Sequence, residues 1–84
     1  MVQYLILCRS LTYAQKAARA LERVGITASI MRVPKEIGRE GCAYCVKVSE
    51  RRFEAALSVL KNTETRITRV VLMTPEGELR EVPL

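Results

Sequence analysis

The chain has 84 residues, 49% of them hydrophobic and 27% charged, with a formal net charge of +5. A chain of this size makes one small domain with a thin stability margin, and its apolar content argues against intrinsic disorder. The longest apolar runs, Tyr4–Cys8 and Val70–Met73, are too short to cross a bilayer, and the absence of His removes every mechanism that needs an imidazole base or ligand.

Asp is absent as well, so carboxylate chemistry would fall to nine Glu residues, none of them set apart as a pair. The positive charge is spread over helices, loops and strand ends with Glu interspersed, which reads as a solvated mixed-charge surface and not as a nucleic-acid patch. No basic segment followed by an apolar core stands at the N-terminus, so a cytoplasmic location is expected. With an odd count of three cysteines and that location, the thiols are expected to be reduced and not part of a disulfide framework.

In chain order, Val2–Cys8 is apolar with β-branched and aromatic content and reads as a buried central strand. Ala14, Ala17, Ala18, Leu21 and Val24 then recur at helical spacing. Ser10 or Thr12 can cap this helix, Thr12 with Gln15 fits a capping box, and Gly25 suits a left-handed stop. Ile26–Val33 alternates as a second strand, with Ile26, Ala28 and Ile30 on one face and Thr27, Ser29 and Met31 on the other. A loop follows from Pro34 to Gly41, and Cys42–Val48 reads as the third strand. Ser49 is the cap candidate for a second helix that puts Phe53, Ala56, Leu57 and Leu60 on one face. Arg66–Met73 is the fourth strand, Thr74–Glu78 has the composition of a turn, and Leu79–Pro83 either returns as a short fifth strand or trails along the sheet.

The order β-α-β-β-α-β predicts a single α+β domain over residues 1–84, a ferredoxin-like βαββαβ sandwich. Its four-stranded antiparallel sheet carries both helices on one face, with an optional short extra C-terminal strand. In that topology the end of the first strand lies beside the start of the third, so Cys8 and Cys42 belong to one end of the sheet. The N-terminus of the first helix, from Ser10 to Tyr13, and the Pro34–Gly41 loop belong to that end too. Helix N-termini present unpaired amides and partial positive charge, and Arg9, Lys35 and Arg39 are near in the chain. A thiol there is expected to titrate below its ordinary value, and Gly38 and Gly41 would let a reacting group approach Cys42.

The Cys42-x-x-Cys45 pair has several readings. Each cysteine, Cys8 included, can simply be a small buried hydrophobe. A closed zinc site wants four ligands, and this chain offers three sulfurs and no imidazole, so zinc would have to be shared across a dimer. A thioredoxin-like pair needs its first cysteine at a helix start, whereas these lie in or beside a strand, where residues three apart face opposite ways. RNA-binding domains of this topology stack bases on central-strand aromatics, and only Tyr4 and Tyr44 are available, with Tyr44 in phase with Val46 and Val48.

The stretches YLILCRSLTYAQKAARALERVGI and VPKEIGREGCAYCVKV resemble the selenium/sulfur carrier protein-like family, over roughly Tyr4–Leu60. By position Cys42 matches the family's loop cysteine, Pro34 its proline and Ser10 its turn hydroxyl, while Lys47 stands where Arg is usual. Ala43 replaces a Gly, the loop is one residue longer, Cys8 takes an aromatic's place, and Cys45 is an addition. The resemblance implies a carrier, not an enzyme with its own turnover, in which Cys42 accepts and passes on sulfane sulfur or selenium.

In that reading Cys45 or Cys8 either resolves the persulfide or packs, while Arg9, Ser10, Thr12, Lys35 and Gly41 form the surroundings. The implied partner is a donor of the cysteine desulfurase or selenocysteine lyase type, with no cofactor, no metal, no membrane and no nucleic acid. The alternative is a non-catalytic interaction or regulatory domain with structural cysteines. Its open sheet face, carrying Met31, Leu5 or Leu7, would bind a partner or a second copy.

Overall fold

A run of consecutive apolar residues on a strand must be covered on both faces, and the second half of β1 (Gln3–Cys8) meets that condition: Leu5, Ile6, Leu7 and Cys8 are all fully buried. The computed structural model describes residues 2–38, 44–63, 65 and 67–83. Residues 39–43, which include Gly41 and Cys42, lie outside the described residues, as do Met1, Glu64, Arg66 and Leu84.

Helix α1 (Leu11–Arg23) begins at Ser10, whose extended backbone lets its Oγ accept the Tyr13 amide at 3.3 Å. Ser10 is therefore the cap, and the Thr12–Gln15 capping box is not formed, because Thr12 already lies in the first turn. The helix ends as its sequence predicts. Gly25 has φ +80°, its amide donates to the Glu22 carbonyl at 3.0 Å, and the Ile26 amide reaches back to Leu21 at 2.9 Å. This is a Schellman closure, and Ile26 and Leu21 share one core cluster.

Strand β2 (Ser29–Arg32) is shorter than the alternation suggests, although Ile26 and Ala28 still turn toward the helices. Strand β3 (Tyr44–Ser49) leads into a single 3-10 turn at Glu50–Arg52, then into α2 (Phe53–Lys61). The expected Ser49 cap is corrected, since its side chain makes no capping bond and the tighter turn opens the helix instead. On α2 the core face is Ala56 and Leu60 with Phe53 and Val59, so Val59 takes the place given to Leu57. Strands β4 (Ile67–Met73) and β5 (Leu79–Val82) are joined by a turn. There the Thr74 amide bonds Glu78, the Thr74 Oγ1 accepts the Glu78 amide, and Gly77 sits at φ +90°.

The sheet has five strands in the order β2-β3-β1-β4-β5, each antiparallel to its neighbours. The C-terminal segment thus forms a true fifth strand against β4. Because side chains alternate across a strand, the register divides the sheet into two unlike faces. Ile6, Cys8, Val46, Val48 and Val70 pack under Ala14, Ala17 and Leu21 of α1 and Ala56 and Leu60 of α2. Tyr4 stacks on Phe53 within this layer, with ring centroids 3.9 Å apart.

The second face holds Leu5, Leu7, Cys45 and Val71, all fully buried although no helix lies on it. Val33 and Ile37 from the segment after β2 pack over them, with Met31, Met73 and Leu79. The segment closes a turn in which the Ile37 and Gly38 amides donate to Pro34 at 3.1 and 2.9 Å. Arg69 of β4 donates from Nη1 to the Ile37 carbonyl at 2.5 Å and is held by an ion pair with Glu81 of β5. The expectation of an open face offering Leu5 or Leu7 to a partner is corrected: both leucines are at 0% exposure.

Candidate functional site

The register delivers the sheet end where the sequence places its chemistry. Cys8 pairs with Tyr44, Arg32 pairs with the same Tyr44, and Cys8 pairs with Ile67 on its other side. Tyr44 is the first described residue after 39–43, so the chain leaving Cys42 enters the sheet beside Cys8. The Arg32 guanidinium lies over the Tyr44 ring, 5.9 Å from its centroid. Arg9, which directly follows Cys8, and Lys35, three residues beyond β2, are exposed, and neither has an ion-pair partner among the described residues. Thr12 is exposed, while Ser10 is half-buried and already engaged as the α1 cap. One of the helix-start amides expected to serve the thiol is consequently used by the helix itself.

The two described cysteines are both free and fully buried. They face opposite ways, Cys8 into the helix-side core and Cys45 into the second face beside Leu5, Leu7 and Val71. The sheet lies between them, which precludes a Cys8–Cys45 disulfide or a metal held by both. Burial pushes the Cys8 thiol up to about 11, helped by the Cys45 thiol. Burial also pushes Cys45 up to about 11, and Lys47 offsets part of that rise. For Cys8 this reverses the expected lowering, since its sulfur sits in apolar packing with the Ile6 carbonyl 3.7 Å away as acceptor. Among the described residues no group of three or more Cys, Asp or Glu converges on a common point.

Tyr4 and Tyr44 both belong to the helix-side layer, so they form no exposed stacking platform. Two features escaped the sequence reading. Arg69 and Glu81, 12 residues apart, tether the Pro34–Gly38 segment, and nothing local in Arg66–Met73 marks Arg69 for that role. A polar cleft at the far end of the sheet draws its lining from separate segments, and its only local trace is the polar alternation of Lys47 and Ser49 after Cys45.

Fold and thiols together define a small α+β domain in which two cysteines pack as core residues and a third precedes β3 in the chain. The chain belongs to the family described as "Putative Se/S carrier protein-like", whose model matches residues 3–72. The match ends inside β4, so β5 and the Glu81 that braces Arg69 lie beyond it. No curated protein and no solved structure matches the chain. No helix among the described residues is long and apolar enough to cross a membrane.

Proposed function

We propose that this chain is a sulfur or selenium carrier whose working group is the Cys42 thiol, set on a ferredoxin-like βαββαβ core with β5 added at the sheet edge. The observation that carries the reading is the state of the other two thiols. Cys8 and Cys45 are fully buried and titrate near 11, so neither offers an accessible thiolate at neutral pH. If the family's carrier role applies to this chain, Cys42 is the thiol left to perform it.

The step is redox-neutral. The Cys42 thiolate attacks the terminal sulfur of a donor persulfide, a new S–S bond forms, the donor's own S–S bond breaks, and the donor cysteine leaves as thiolate. An acceptor nucleophile reverses the exchange and regenerates the Cys42 thiolate. The donor suited to this chemistry is a cysteine desulfurase, or a selenocysteine lyase for selenium, in a reducing cytoplasm. Arg9, Lys35 and Arg32 supply positive charge at this end of the sheet that favours a thiolate. Cys8 and Cys45 have packing roles in this scheme, not resolving ones.

The test is to incubate the protein with a cysteine desulfurase and cysteine and to read the intact mass. The expected result is an adduct of one sulfur atom that disappears in Cys42→Ser and survives in Cys8→Ala and Cys45→Ala. An unmodified wild type, or an undiminished adduct on Cys42→Ser, overturns the proposal. The interaction-domain alternative loses Leu5 and Leu7 as surface residues, while the buried Cys8 and Cys45 are what it expects of structural cysteines.

A further inference from the structure

The second face of the sheet changes character along its length. Toward the end that receives the chain from Cys42 it is Leu5, Leu7, Cys45 and Val71, apolar and sealed. Two residues further along β3 and two back along β1 it becomes Gln3, Lys47 and Ser49, with Ser29 of β2 paired to Lys47 and Gln3 of β1 paired to Ser49. Period-two alternation puts these four side chains on one face as a contiguous polar patch. Thr27 and Gly25 from the connection after α1, and Arg52 from the 3-10 turn, complete a cleft of about 260 Å³.

The lining chemistry is one-sided. Lys47 and Arg52 provide two cations, Thr27, Ser29 and Ser49 three hydroxyls, and Gln3 an amide, with no carboxylate among the described lining residues. Neither cation has an ion-pair partner among the described residues, and Ser49 leaves its hydroxyl uncommitted to the turn it precedes. Gly25 adds no side chain, and a Cβ there would meet nothing within 4 Å, so that wall stays open to an incoming group. By contrast, Lys16, Arg19 and Arg23 line a smaller pocket of about 180 Å³ along one helix, the ordinary solvated face of α1.

We propose that this cleft is a binding site for a phosphoryl dianion, as inorganic phosphate or as the head of a small phosphate monoester. Two cations match its charge, and the hydroxyls and the amide donate to its oxygens through charge-assisted hydrogen bonds. The volume falls below the roughly 300–1,000 Å³ of sites for drug-sized ligands, which favours a small anion. The site stands on β1, β2 and β3 at the end of the sheet away from Tyr44, and it is independent of the carrier reading.

The test is a ¹H–¹⁵N titration at constant ionic strength, with inorganic phosphate in one arm and glycerol 3-phosphate in the other, chloride being the balancing anion. The expected result is saturable shifts at Gln3, Gly25, Thr27, Ser29, Lys47, Ser49 and Arg52, with the amides of Lys16, Arg19 and Arg23 unmoved. In Lys47→Gln/Arg52→Gln the apparent Kd should weaken by about tenfold or more, the usual loss with a charged hydrogen-bonding partner. Both positions are at least partly exposed, so the fold should be kept, and the single Arg52→Gln reports the same loss in smaller measure. Tighter binding of the monoester than of phosphate identifies an organic ligand, and equal binding identifies the free anion. Non-saturable shifts, shifts spread over the cations of α1, or undiminished binding in the double variant overturn the proposal.

Discussion

The clearest quantitative consequence of the structure is the silence of two of the three thiols. At pH 8 a cysteine titrating at about 11 in place of 9.0 carries roughly a hundredfold less thiolate. Ionisation is only part of the suppression, because both sulfurs are fully buried and an alkylating reagent must wait for the surrounding packing to open. For a small domain with a folding free energy near the lower end of the usual range, about 5 kcal/mol, an opening that requires global unfolding slows labelling by three to four orders of magnitude. Native protein should therefore be treated with iodoacetamide at pH 8, quenched over time and compared, peptide by peptide, with protein in 6 M guanidinium. Cys8 and Cys45 should label at least a hundredfold more slowly in the native state, and Cys42 at least as fast as in the unfolded chain, since the nearby cations favour its thiolate. Native rates for Cys8 or Cys45 within tenfold of the denatured ones would refute the assignment of both to the core, and with it the elimination that singles out Cys42.

Other consequences can be read in stability. Since the folded pKa of each buried thiol lies above its unfolded value, the folded state holds the proton longer. The stabilisation this confers is complete below about pH 9 and is lost as pH rises toward about 11, so the guanidinium midpoint of wild type should fall faster across that window than that of Cys8→Ala/Cys45→Ala; parallel curves would contradict it. Replacing Arg69 by Gln removes both its bond to Ile37 and its ion pair with Glu81. The expected cost is about 1.5–3 kcal/mol, with faster amide exchange at Ile37 and Gly38, and unchanged exchange there would show that the tether is idle. Ser10→Ala should cost about 0.5–2 kcal/mol in chemical denaturation, whereas Thr12→Ala should be close to neutral.

Much of this architecture is legible in the sequence, for reasons that differ by element. The alanine stripe of α1 and the apolar run Tyr4–Cys8 of β1 are strong signals because burial on one helix face, or on both sheet faces, leaves few alternative patterns. Gly25 stops the helix where predicted, because a Schellman closure needs a left-handed residue and glycine adopts that geometry without cost. Capping is read less well. Ser10, Thr12 and Ser49 all have the right hydroxyl, and only the backbone geometry decides that Ser10 caps while Ser49 precedes a 3-10 turn. The Cys42-x-x-Cys45 spacing is the most misleading feature, for it suggests a pair acting together. Cys45 instead belongs to the alternation of β3, where it is an inward apolar residue of the second face.

That second face links the fold to the proposed chemistry. In a two-layer sandwich the side of the sheet without helices would ordinarily meet water, yet four residues there have no exposure at all. Burying them takes a lid, and Val33 and Ile37 provide it from the segment that runs directly on toward Cys42. The apolar choice at Leu5, Leu7, Cys45 and Val71 thus holds one flank of the candidate loop down on the sheet, with Arg69 fixing it at the Ile37 carbonyl. The other flank is fixed at Tyr44, paired to Cys8 on one side and Arg32 on the other. On this reasoning Cys45 matters to Cys42 as part of the floor that the preceding segment packs on, and not as a second thiol. A Cys45→Ala variant that keeps the floor should keep sulfur uptake, while Cys45→Asp, which places a charge under Ile37, should lose the anchored segment and slow uptake without touching Cys42.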